Sequence, residues 1–152
     1  QRTSQRGLSA LGQVIGAGHQ VRPFAFQGGN MRRISSGGIY ENKIGYSRAV
    51  VAGGMVHVSG TVGEGADVTA QCAAALATIK AALAEAGSDF AHVVRVTYML
   101  PDAAEFEACW PLLREAFGAH PPAATMIECG LIDPKYRIEI ECTALLRDAA
   151  EG

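Results

Sequence analysis

The stretch from Arg137 to Leu146 constrains the fold more than any other part of this chain. Ile138, Ile140, Cys142, Ala144 and Leu146 alternate with Arg137, Glu139, Glu141, Thr143 and Leu145. A repeat of two sends the two sets to opposite faces of a β-strand. One face is apolar and the other mostly polar. The strand therefore belongs to a sheet with the core on one side.

Helices with the complementary apolar faces precede it. Asp67 can cap a helix that runs to about Ala86, where Gly87 can end it. Val68, Cys72, Leu76, Ile79 and Leu83 recur at helical spacing and form one apolar stripe. A second helix carries Phe106, Cys109, Trp110, Leu113 and Phe117, with Gly118 at its end. Asp102 and Glu105 resemble a capping box at its start. Pro111 lies inside it and is expected to kink or interrupt it.

The remaining apolar runs read as strands. Ser47–Val51 and Met55–Ser59 flank Gly53-Gly54, a pair that tolerates the positive φ of a tight hairpin. His57 alternates with Val56 and Val58 and so faces away from them; a lone strand histidine reads as structural or solvated. Val93–Leu100 is strand-like and is stopped by Pro101-Asp102. Pro121-Pro122 forces extended backbone ahead of a strand reaching about Glu128. The expected fold is α+β, with one mixed β-sheet covered on one face by two helices. The second face, with Met55, Val94, Thr97 and Met126, is left partly apolar. Exposing such a face costs roughly 25 cal/mol per Å², so an oligomer is expected.

Composition narrows the class. Of 152 residues, 49% are apolar and 18% charged, with a net charge of −2. Residues 1–30 contain Arg2, Arg6 and Arg22 and no acid, and read as a flexible N-terminal extension ahead of one domain at 31–152. Outside that extension ten basic residues stand against fifteen acids, a net −5. Phosphate contacts need clustered Lys and Arg, so nucleic acid is not an expected partner. Cys72, Cys109, Cys129 and Cys142 lack metal-knuckle spacing. The first two and Cys142 read as small core residues, and Cys129 borders a cleft motif. Reduced thiols fit a cytoplasmic protein. No run reaches the roughly 20 apolar residues of a membrane span.

Ile44-Gly45-Tyr46-Ser47, Val56-His57-Val58-Ser59-Gly60, Val94-Arg95-Val96-Thr97-Tyr98-Met99, Pro122 to Glu128 and Ile138-Glu139-Ile140-Glu141 come in an informative order. From about Arg33 to Arg147 the chain resembles the reactive-intermediate deaminase (Rid, YjgF-like) family. The resemblance implies a chorismate-mutase-like fold and a homotrimer with a small-molecule cleft at each of three subunit interfaces. Active members hydrolyse enamines and imines such as 2-aminoacrylate to a 2-keto acid and ammonia. They need no metal or organic cofactor.

Carried over residue by residue, Tyr46 matches a cleft tyrosine, and Ser59 and Gly60 a pocket-lining strand end. Glu139 matches the carboxylate that positions water, the catalytic role. Ala124 stands where the family's carboxylate-binding arginine is usual, followed in the same motif by Thr125 and Met126. Trp110 stands where active members often have asparagine.

Imine hydrolysis requires a held carboxylate, a placed water and a proton for the leaving nitrogen. Glu139 suits the last two roles, and apolar Trp110 and Met126 nearby are expected to raise its pKa. Alternatively, Glu139 and Glu141 are exposed carboxylates or partners of Arg137. The anchor is the weak point, since a guanidinium binds a carboxylate bidentately and Ala124 cannot. Arg48 is the nearest substitute by family position, although a surface role suits it better; Arg95 and Arg137 are weaker. Trp110 either offers a stacking surface in the cleft or packs the helix core. Three readings follow: a trimeric Rid-family protein without efficient 2-aminoacrylate deaminase activity, a deaminase with another substrate anchor, and a non-catalytic binding or interaction protein.

Overall fold

The computed structural model describes residues 31–150; the expected extension at 1–30 lies outside them. Strands β1 (Arg32–Ile34), β2 (Ala49–Ala52), β3 (Met55–Thr61), β4 (Val93–Leu100), β5 (Ala123–Glu128) and β6 (Glu139–Leu145) form one sheet. Their order is β1-β2-β3-β6-β4-β5. All neighbours are antiparallel except β4 and β5. A parallel pair needs a crossover, and helix α2 (Phe106–Phe117) lies in it. Helix α1 (Val68–Ala86) connects β3 to β4. The fold is the α+β arrangement expected, with β6 central.

Local chemistry explains these elements. Gly53 and Gly54 turn the β2–β3 hairpin with φ of 59° and 78°, values that L side chains adopt reluctantly. The Asp67 carboxylate accepts a 2.8 Å bond from the Ala70 N–H and caps α1. At the other end Gly87 is left-handed, with φ 90°. Val68, Cys72, Leu76, Ile79 and Leu83 are buried against the sheet, where they meet Val56, Val96, Ile138 and Ile140. Cys72, Cys109 and Cys142 are buried, free thiols, as expected of core residues; Cys129 is half-buried.

Three local expectations need correction. Asp102 caps a single 3₁₀ turn, Ala103–Glu105, by accepting from the Ala104 N–H. Glu105 does not complete a capping box but turns its carboxylate to Arg137. Pro111 does not interrupt α2, which is continuous from Phe106 to Phe117. Its missing N–H removes one backbone bond on an exposed face, a loss the helix tolerates. Gly118 ends α2 as expected, in helical geometry (φ −61°). It is glycine for space, since a Cβ there would lie 2.5 Å from the Arg114 carbonyl oxygen.

The third correction concerns the open face. Pairing sets Met126 beside Tyr98 and Ala124 beside Val96, which puts both on the helix side of the sheet. Val94 falls in a bulge between Val93 and Arg95. Met55 and Thr97 do lie on the open face, where His57, Arg95, Glu141 and Thr143 are polar neighbours and Val50, Ala52 and Leu145 keep it partly apolar, as expected. Strand parity after a bulge, and the register of a parallel neighbour, are set by pairing and not by composition.

Two elements escaped the sequence pattern. β1 is too short to show periodicity. After it, Glu41 is buried and opens one π-helical turn, Glu41–Gly45. Hydrogen bonds from the Ser35 and Ser36 hydroxyls hold its carboxyl down to about 2. Its backbone carbonyl accepts the Tyr46 N–H at 3.1 Å and so seats Tyr46.

Replacing the α1 cap tests the helix assignment. Asp67→Ala is expected to destabilise the fold by about 1 kcal/mol, read as a lower urea midpoint with an unchanged slope.

Candidate functional site

Arg48 stands immediately before β2, and its side chain turns inward. It is 8% exposed, so the surface role expected for it is wrong. A buried guanidinium needs acceptors, and the end of β3 supplies them. Nη1 donates to Thr61 Oγ1 at 2.7 Å, to the Gly60 carbonyl at 2.9 Å and to the Ser59 carbonyl at 3.4 Å. Nη2 donates to the Tyr46 hydroxyl at 3.2 Å, and the guanidinium lies 5.4 Å from the Tyr46 ring centre. Nε is buried without a partner among the described residues. Ser59 Oγ donates to the Ser47 carbonyl at 2.7 Å.

The same segment seats Glu139. The β3–β6 register shifts between Val58 and Thr61, and such irregularities re-aim neighbouring side chains. Glu139 leans over Gly60 so closely that a Cβ on residue 60 would lie 2.1 Å from Glu139 Oε1. Gly60 is thus glycine because the carboxylate occupies its side-chain space. Burial pushes the Glu139 carboxyl up, the Glu141 charge adds to this, and Arg48 opposes it. The direction is the one expected, and burial is its largest cause. Arg137 pairs with neither Glu139 nor Glu141; its Nε donates to Glu105 at 2.9 Å.

The second group of expected residues lies elsewhere. Between α2 and β5 runs an open groove of about 350 Å³ lined by Tyr98, Trp110, Leu113, Phe117, Pro122 and Ala124, among others. Trp110 is 44% exposed and meets Phe106 edge-on at 6.4 Å, so it both packs and faces the groove. Thr125 points to the opposite face of the sheet, where it accepts a 2.6 Å bond from Arg95. Met126, on the groove's side of β5, is not part of its lining. One protomer therefore unites Tyr46, Ser59, Gly60 and Glu139, and separately Trp110 with Ala124.

Sequence reasoning weighed Arg48 but missed its burial, and missed Thr61 altogether. The available signal was the run Tyr46-Ser47-Arg48 entering a hairpin whose far end carries Ser59-Gly60-Thr61. Among the described residues, no three His, Cys, Asp or Glu side chains converge as metal ligands. No helix there is long and apolar enough to cross a membrane.

Residues 40–146, which include both groups, match the endoribonuclease L-PSP family model. The chain belongs to this family. A crystal structure of a YjgF/YER057c/UK114 member from Mycobacterium tuberculosis superposes with a TM-score of 0.74 at 38% identity, covering 76% of this chain and 99% of that one. The 2-iminobutanoate/2-iminopropanoate deaminase of Homo sapiens is 28% identical, across 76% of this chain and 90% of that protein. The chloroplastic Reactive Intermediate Deaminase A of Arabidopsis thaliana is 30% identical, across 66% of this chain and 58% of that protein. Within the L-PSP family the sheet and helices are thus shared, and deaminases are among the relatives.

The seating of Glu139 has a pH signature. A carboxyl whose pKa is raised on folding contributes stability below its unfolded value and loses it as pH rises through the folded value. Glu139→Gln is therefore expected to raise the unfolding midpoint at neutral pH, with the gain disappearing below the ordinary carboxylate range. Gly60→Ala should leave the fold intact but displace the flexible carboxylate. Its Glu139 resonance, followed by carboxyl carbon NMR, should then titrate closer to an ordinary glutamate.

Proposed function

We propose that this L-PSP-family chain is a trimer with small-molecule clefts at its subunit interfaces and is a poor deaminase of 2-aminoacrylate. The observation that carries this reading is Ala124 in the groove between α2 and β5. A methyl group there offers no hydrogen bond to a substrate carboxylate. Hydrogen bonds to charged groups contribute roughly 1.5–3 kcal/mol each. Losing a bidentate pair lowers transition-state binding by about two to four decades, at 1.36 kcal/mol per decade.

The trimer is supported by the separation of the two residue groups within one protomer. An interface is the economical way to set Glu139, the water- and proton-handling residue, against a ligand lying on Trp110. The exposed Met126 and Ile127 on edge strand β5 also favour a covered edge. Free thiols support a cytoplasmic address, and the net −5 beyond residue 30 supports a small-molecule ligand over nucleic acid.

A second reading, an enamine or imine deaminase with another anchor, is favoured by Glu139 itself. A half-buried carboxyl whose pKa burial raises, seated against Gly60, suits proton transfer.

The decay of freshly generated 2-aminoacrylate, with and without the protein, tests the main reading. Little acceleration is expected, and a rate equal to that of arginine-bearing relatives overturns it. Ala124→Arg is expected to raise the rate by about a hundredfold, the lower bound set by two lost charge-assisted bonds. Light scattering should give the mass of three chains.

A further inference from the structure

We propose that Arg114 replaces the charge absent at residue 124, so that the groove selects acids with a bulky, preferably aromatic, body. The inference rests on the groove being the ligand cleft, but not on the loss of deaminase activity. Arginine availability is the first argument. Arg48 is buried among backbone carbonyls, Arg95 bonds Thr125 on the other face of the sheet, and Arg137 is paired with Glu105. Arg114 is exposed, lines the groove with Ala124, and takes no carboxylate partner among the described residues.

Placement is the second argument. Trp110 and Arg114 are four residues apart on α2 and share a face of the helix. Both border an otherwise apolar groove, whose wall is completed by Tyr98, Leu113 and Phe117. A cation at the rim of an apolar groove is complementary to a ligand with one anionic end and an apolar body. The volume of about 350 Å³ falls at the small end of organic-ligand clefts. Alanine at 124 works in the same direction, because it removes a charge from the strand wall and leaves room that an arginine would fill. A short acid such as pyruvate lacks the body to hold Trp110 while meeting Arg114. A phenyl-bearing acid has it. A cation in the last turn also complements the helix dipole, but that role carries no preference among ligands.

Trp110 is the chain's single tryptophan, so its fluorescence reports on the groove alone. The probes are 3-phenylpropanoate, its neutral amide 3-phenylpropanamide, and pyruvate, titrated into the full chain at low salt. The acid is expected to bind at least tenfold more tightly than either the amide or pyruvate. Arg114→Gln should abolish the acid-over-amide preference without changing affinity for the amide. Arg114→Lys, which keeps the charge, should retain most of the preference. Equal binding of acid and amide, a preference that survives Arg114→Gln, or no saturable response to any probe would each overturn the proposal. Rapid 2-aminoacrylate turnover by the native chain would instead defeat the reading of Ala124 and leave the Arg114 preference standing.

Discussion

A guanidinium removed from water has to be met by acceptors, and at Arg48 two of them are main-chain carbonyls and two are side-chain hydroxyls. Its bonds to the Ser59 and Gly60 carbonyls and to Thr61 fix the last turn of backbone in β3, where pairing with β6 shifts. That backbone, bare of a side chain at Gly60, is what Glu139 leans on. Arg48 also holds the Tyr46 hydroxyl, while the π-helical turn begun by Glu41 holds the Tyr46 main chain. Removing one partner from a buried charge costs far more than the bond itself is worth. Tyr46, Arg48 and Thr61 are therefore placed together.

The division of the site has a chemical logic. On the proposed reading, proton and water handling would fall to the raised-pKa carboxyl at the β3–β6 junction, and ligand selection to the wall between α2 and β5. Because the two lie on different elements, residue 124 can change without disturbing Glu139. A family can then retain its scaffold while altering the molecules it admits.

The fold was legible wherever one residue type has one physical use. Asp67 and Gly87 bracket α1, Gly53-Gly54 turns the hairpin, and the alternation around Ile140 gives the central strand. Each of these signals is local. Parity at Val94 and Met126 was not legible, because a bulge and a parallel register are properties of two strands at once. Arg48 illustrates the same limit at the site. An isolated arginine beside a strand reads as surface, and only the carbonyls brought to it by β3 make burial affordable. Trp110 and Ala124 were recognised as a pair through family position, whereas Arg114 has no such position and became visible only when α2 was set against β5.

The two borders of the sheet are unlike. β1 is three residues long, with Arg32 and Arg33 exposed, and short charged borders resist further pairing. β5 is six residues long, with Met126 and Ile127 exposed along it. An endless ribbon needs two adhesive margins, and among the described residues only β5 combines length with exposed apolar side chains. Pairing through β5 alone would therefore be self-limiting, closing into a finite particle and leaving the β1 end of the strand order outside the contact.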